Sequence, residues 1–157
     1  MANKRLQSEY KQYLKEPNQY YILTPSETDF TVWNIMLFGS LGSIFEGYIF
    51  DCQMIFPIEY PNKPPILKFL SKLPHPNIYP DGKVCISILH DEIDVSGHDQ
   101  LNEQWSPAQS VHSILLSVLS LLVEPNLDSP ANIDITKLWR NDFENYKKLV
   151  YKIITQY

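Results

Sequence analysis

The stretch from 57 to 80 constrains this chain most, because it holds seven of the twelve prolines. Proline fixes φ and lacks an N–H, so neither a continuous helix nor a central strand runs through such a segment. Proline-rich stretches are often tethers. This one carries Ile58, Tyr60, Ile66, Leu67, Phe69, Leu70 and Leu73, too much apolar surface for a solvated linker. It reads as a rigid, irregular shelf, stiffened by proline's effect on the unfolded chain, with one short strand, "ILKFL", at 66–70. The shelf runs straight into "HPNIYPDGKVC", which ends on one of only two cysteines.

Regular elements flank the shelf. Leu6, Tyr10, Tyr13 and Leu14 recur at helical spacing, with Lys4, Arg5, Lys11 and Lys15 off the apolar stripe and Pro17 ending the pattern. Three extended runs follow. "YYILT" at 20–24 is short and rich in β-formers. "TVWNIMLF" at 31–38 is apolar on both faces, as in a covered strand. "GYIFDCQMIF" at 47–56 alternates, with Tyr48, Phe50, Cys52, Met54 and Phe56 on one face. That alternation makes Cys52 a small buried apolar side chain. Short connections favour an antiparallel meander. After the shelf, "SPAQSVHSILLSVLSLLVEP" predicts a helix with Ser106 as N-cap, Pro107 at the first helical position and Gln109 closing a capping box. Its stripe is Val111, Ile114, Leu115, Val118, Leu119 and Leu122. A short segment at 131–139 precedes a last helix over 141–156, with Phe143, Tyr146, Val150, Ile153 and Ile154 inward. The class is α/β (α+β), and residues 1–157 form one domain.

Composition narrows the function. A net charge of −5 argues against nucleic acid as the main partner. No apolar run reaches the length of a membrane span, so direct membrane insertion is not expected. The N-terminus lacks an apolar secretory segment, which points to a cytoplasmic or nuclear chain with reduced cysteines. Two cysteines and four scattered histidines give no metal-ligand spacing, and no cofactor is implied.

Why a cysteine should follow His75-Pro76-Asn77 and an Asp-Gly turn is answered by an ordered set of motifs. "YPNKPP", "HPN" with a cysteine eight residues after the Asn, "WSPAQSV" and "EPNLDSPAN" together resemble the ubiquitin-conjugating enzymes along essentially the whole chain. The resemblance implies a fold with a four-stranded antiparallel sheet, an N-terminal helix, a central helix and C-terminal helices. It implies that Cys85 accepts ubiquitin from the ubiquitin-activating enzyme as a thioester and passes it to a lysine amine with a ubiquitin ligase. A thiolate is the useful nucleophile for such a step. His75 is implied to order the loop; as a general base it has nothing in the sequence to pose it at the sulfur. Asn77 has two readings, stabilising the oxyanion formed as lysine attacks or tying the loop to itself. Ser129 matches a gate position near the acceptor lysine, where several relatives carry Asp; Ser87 likewise departs from an Asp seen in some.

Trp105 follows Cys85 by twenty residues, whereas relatives with a minimal loop place the tryptophan much closer. The insertion, about 90–104, carries Asp91, Glu92, Asp94, Asp99 and Glu103 without Lys or Arg. One reading is a solvated loop; the other is a field beside the nucleophile that attracts a cationic lysine. Glu103 and His90 are the candidates within it. With "CISILH" and "SPAN", it resembles the subgroup that builds degradative polyubiquitin chains, including the enzymes of endoplasmic-reticulum-associated degradation (ERAD), recruited to the cytosolic face of that membrane by an anchored factor. The resemblance also places Lys4 and Arg5 at the activating-enzyme site and Asn62, Pro107 and Ala108 at the site for RING-type ligases. Asn62 replaces an apolar side chain common in relatives, and the sheet face near Ile22 is a candidate surface for a recruiter. Two alternatives stand beside this reading: a conjugating enzyme for another ubiquitin-like modifier, and a non-catalytic ubiquitin-binding module of the same fold. A cysteine hydrolase is weaker, for want of a placed His base.

Overall fold

The computed structural model describes residues 2–91 and 104–156. Helix α1 (Ala2–Lys15) leads into strands β1 (Tyr21–Pro25), β2 (Val32–Phe38), β3 (Ile49–Ile55) and β4 (Ile66–Phe69). A 3-10 turn (Ser87–Leu89) and helices α2 (Val111–Val123), α3 (Ile133–Asn141) and α4 (Phe143–Ile154) complete the order. The four strands form an antiparallel meander in sequence order, as the short connections predict. Its register sets Leu23 beside Ile35, Ile35 beside Cys52 and Cys52 beside Phe69. All four are buried on one sheet face, and the α2 stripe from Val111 to Leu122 belongs to the same core. Each such side chain withdrawn from water contributes on the order of 1.5–3 kcal/mol, so this face fixes the register.

Strand β2 is not covered on both sides. Trp33, Ile35 and Leu37 are buried, but Asn34 is exposed and Met36 is 38% exposed. An antiparallel sheet needs only one covered face, and Met36 lies on the open one. In α1, Leu6 is buried while Leu14 is exposed. The stripe turns aromatic instead, with Tyr10 packed edge-on against Trp33 and Tyr13 stacked on Tyr21. At the other end of the chain, Phe143 stays 38% exposed, and Ile153 and Ile154 are only partly buried.

Helix α2 starts later than Ser106-Pro107 predicts. Its N-cap is Ser110, whose hydroxyl accepts from the Ser113 N–H, while the Ser113 hydroxyl accepts from the Ser110 N–H. Glu9 Oε1 takes the Val111 N–H at 2.7 Å. A helix must satisfy its first N–H groups, and here a carboxylate from α1 shares that task. Pro107 sits in a turn closed by Gln109 N–H to the Ser106 carbonyl. On the shelf, Tyr60 is fully buried and donates its hydroxyl to Glu9, whereas Ile58 is 85% exposed.

Candidate active site

Residues 77–85 form a small hairpin. Cys85 N–H donates to the Asn77 carbonyl at 2.8 Å, Tyr79 N–H donates to the Lys83 carbonyl, and Ile78 bridges Val84. The turn requires glycine: Gly82 has φ of 96°, and a Cβ there would meet the Phe69 carbonyl oxygen at 2.1 Å. Val84 N–H to the Leu67 carbonyl joins the hairpin to β4. The result holds Cys85 half-buried, opposite Asn77, at the entrance to the 3-10 turn.

His75 is fully buried. Its Nδ1 accepts from the Asn77 N–H at 3.1 Å, and its Nε2 donates to the Leu122 carbonyl at 3.2 Å. Burial pushes its pKa down to about 4, so the ring is neutral with both nitrogens engaged. It is a tie between the shelf and α2, not a base for the sulfur. Asn77 is 1% exposed. Its Nδ2 donates to the carbonyls of Asn126 (2.8 Å) and Ser129 (3.2 Å), and its Oδ1 accepts from the Asn126 N–H (2.8 Å). The Pro76 carbonyl accepts from Ala131 and Asn132. The loop carrying Ser129 is thus lashed to the His-Pro-Asn segment, with Ser129 partly exposed at its edge.

The two cysteines differ as the strand alternation requires. Cys52 is 1% exposed, and burial, with the nearby Asp51 charge, pushes its thiol pKa far up. Neither cysteine is in a disulfide.

Tyr79 was not singled out from sequence. Its hydroxyl hydrogen-bonds the Cys85 side chain, and the sulfur's charge, more than burial, raises the Tyr79 pKa. The hairpin explains the contact: 77 faces 85 and 79 faces 83, so Tyr79 lies diagonal to Cys85 on one face. That relation was available from the Asp-Gly turn position. Beyond Cys85, a recess of about 470 Å³ is lined by Ile86, Ser87, Gln109, Ser117, Ser120 and Glu124 among others.

The remaining candidates fall into three groups. Lys4, Asn62, Pro107 and Ala108 are at the surface. Arg5 turns inward instead: it donates to the carbonyls of Pro107 (3.0 Å) and Gln109 (2.7 Å), pairs with Glu9 and lies over the Tyr60 ring. Its position between α1 and the 107–109 turn makes it a brace. His90 is partly exposed just after the 3-10 turn; its N–H donates to the Ser87 carbonyl and its carbonyl accepts from the Trp105 N–H. Glu103, with Glu92, Asp94 and Asp99, lies outside the described residues. Among the described residues, no His, Cys, Asp and Glu group could hold a metal ion.

Comparison with known proteins agrees with this geometry. A family profile described as "Ubiquitin-conjugating enzyme" matches residues 5–154. The chain is 44% identical over 155 residues to human "Ubiquitin-conjugating enzyme E2 G2", covering 98% of this chain and 94% of that one. It is 45% identical over 155 residues to "Ubiquitin-conjugating enzyme E2-18 kDa" of Schizosaccharomyces pombe, covering 98% and 93%. A viral relative, "Ubiquitin-conjugating enzyme E2" of African swine fever virus, is 43% identical over 152 residues, covering 97% and 66%. A half-exposed cysteine held opposite a buried Asn on a short hairpin, over a matched length that spans the sheet and all four helices, places this chain in the ubiquitin-conjugating enzyme family.

Proposed function

We propose that Cys85 is the residue on which this enzyme carries ubiquitin as a thioester, and that a lysine amine takes the acyl group from it. The observation that carries the reading is the contrast between the two thiols, Cys85 partly exposed beside Tyr79 and Cys52 sealed in the sheet. In the charging step the Cys85 thiolate attacks the thioester carbonyl on the activating enzyme, whose own thiolate leaves. In discharge the amine attacks the Cys85 thioester and the sulfur leaves. The polar recess beginning at Ile86 suits an extended peptide tail entering toward the sulfur. Asn77 and His75 hold the loop around Cys85, Tyr79 faces the sulfur, and Ser129 edges the path by which the amine arrives.

The finer reading is that residues 1–157 form one catalytic domain working with a RING-type ligase on degradative chains of the ERAD kind, in the cytoplasm, at the cytosolic face of the endoplasmic reticulum or in the nucleus. Its support is the acidic insertion together with "CISILH" and "SPAN". The exposed Asn62, Pro107 and Ala108 support ligase docking, and exposed Lys4 supports docking of the activating enzyme. Exposed Ile22 and Met36, paired across β1 and β2 on the open sheet face, are the proposed seat of a membrane-anchored recruiter. Among the described residues no helix is long and apolar enough to cross a membrane.

The test is incubation with activating enzyme, ATP and, in turn, ubiquitin and other ubiquitin-like modifiers, read on non-reducing gels. A reducible ubiquitin adduct, absent in Cys85→Ala, is expected. An adduct formed with another modifier alone would overturn the assignment.

A further inference from the structure

Two pieces of backbone meet at the far end of the segment that follows the cysteine. One is the shelf loop at 57–63, which carries Asn62. The other is the segment from Cys85 through the 3-10 turn to Asp91. Lys63 Nζ and Asp91 Oδ2, one from each piece, are 2.8 Å apart. A second link runs alongside. Trp105 Nε1 donates to the Pro61 carbonyl at 2.9 Å, and Trp105 N–H donates to the His90 carbonyl at 2.8 Å.

The links differ in kind. Trp105 is buried, with its ring 5.7 Å from the Tyr60 ring, and Tyr60 is in turn bonded to Glu9. That link is part of the core. The ion pair is open to water, its side chains 60% and 26% exposed, so its strength is modest and screened by salt. A protein that docks on Asn62 meets Lys63 next in the chain, and Asp91 is joined to Cys85 through only Ile86, the 3-10 turn and His90.

We propose that the Lys63–Asp91 ion pair is the adjustable link between the shelf loop and the cysteine-bearing segment, so that both are positioning residues through which ligase docking alters discharge. The proposal rests on the reading that a RING-type ligase docks at Asn62, Pro107 and Ala108. It needs no contact between either side chain and the acyl group.

The experiment compares the parent with Lys63→Glu, Asp91→Lys and the double charge swap. Three quantities are read: affinity for a RING domain, discharge to lysine at saturating RING domain from equal amounts of thioester, and hydrogen exchange of the Trp105 backbone amide in the enzyme alone. Each single variant is expected to speed Trp105 exchange and to lower RING-stimulated discharge by about two- to fivefold, the range an exposed pair sets. The swap restores both, and the differences shrink at about 1 M salt, where charges a few ångströms apart are screened. Restoration by the swap is the outcome that a separate role for either side chain would not produce. Single variants that match the parent in exchange and discharge, or a swap that fails to restore them, overturn the proposal. If the parent does not bind the RING domain, the docking reading falls, and Trp105 exchange alone then decides whether loop and segment are coupled.

Discussion

Asn77 and Ser129, 52 residues apart in the chain, are joined by a hydrogen bond from the Asn77 side-chain amide to the Ser129 backbone carbonyl. With the two bonds to Asn126, both amide hydrogens and the amide oxygen are committed to one loop. Asn77→Ala is expected to leave these backbone groups unpartnered and to destabilise by about 1–3 kcal/mol. Charging and discharge should slow together. Asn77→Asp keeps an acceptor for Asn126 N–H but loses both donors, so it should be impaired as well. Thermal melts alongside both rates decide the matter. An unchanged melting temperature with slow discharge alone would return the amide to the oxyanion role.

The buried ring of His75 makes stability depend on pH. Its pKa is about 4 in the folded chain against 6.5 unperturbed. Between those values the unfolded chain binds a proton that the folded one does not, so stability rises with pH across that window and falls as acid is added. The slope approaches about 1.4 kcal/mol per pH unit for one fully differential proton. Urea unfolding at a series of pH values from neutral to about 4.5 measures it, and His75→Gln should flatten the profile by that proton's share. An equal slope in parent and variant would show that the acid sensitivity comes from other groups.

Alternation made the sheet legible. The period of two in 47–56 placed Cys52 inside, while the role expected of Cys85 came from the motif resemblance, and the stretch leading into it read as an irregular shelf where the structure has a small hairpin. What escaped depends on partners far along the chain. The true start of α2 is set partly by Glu9, 102 residues from Val111, so the local Ser106-Pro107 pattern pointed one turn too early. The inward bonds of Arg5 were not legible, because its acceptors, the carbonyls of Pro107 and Gln109, carry no mark in the sequence. Ser129 meets Asn77 through its backbone, which side-chain identity does not disclose.

The cysteines should separate chemically before any partner is added. At neutral pH iodoacetamide is expected to alkylate Cys85 alone, because only thiolate reacts at a useful rate and burial holds Cys52 protonated. With activating enzyme present, Cys85→Ser should trap ubiquitin as an oxyester that survives thiol, and Cys52→Ser should charge normally. Peptide mapping of the alkylated protein reads the first result. A reducible adduct persisting in Cys85→Ser would reassign the nucleophile.

Lys4 and Arg5, adjacent in sequence, should behave differently. Arg5→Ala removes charged hydrogen bonds to two carbonyls and the pair with Glu9, and a loss of about 1–3 kcal/mol is expected. Lys4 is exposed, so Lys4→Glu should leave the melting temperature nearly unchanged while raising the KM for the activating enzyme. Equal melting temperatures in the two variants would show that the brace at Arg5 contributes nothing.

The acidic insertion can be tested without dismantling its base. His90 and Trp105 are already bonded carbonyl to N–H, and Asp91 is held by Lys63, so the ends of the segment lie together in the fold. Replacing residues 92–103 with a short Gly-Ser link keeps both contacts. Because loop length enters closure entropy only logarithmically, melting temperature and thioester formation should stay nearly the same. Discharge should not. The removed acids are all of one sign, and neither Ser87 nor Ser129 supplies a carboxylate near the sulfur. A carboxylate helps gather an incoming ammonium, yet it also raises that ammonium's pKa. The loop is therefore expected to act on capture and orientation of the lysine, with deprotonation left to another group. Discharge to ubiquitin, followed with a ligase present, should slow or yield chains of different linkage, and the loss should show as a raised KM for the acceptor more than as a lowered kcat. Parental KM and parental chain type in the shortened enzyme would identify the insertion as solvated surface with no part in the reaction.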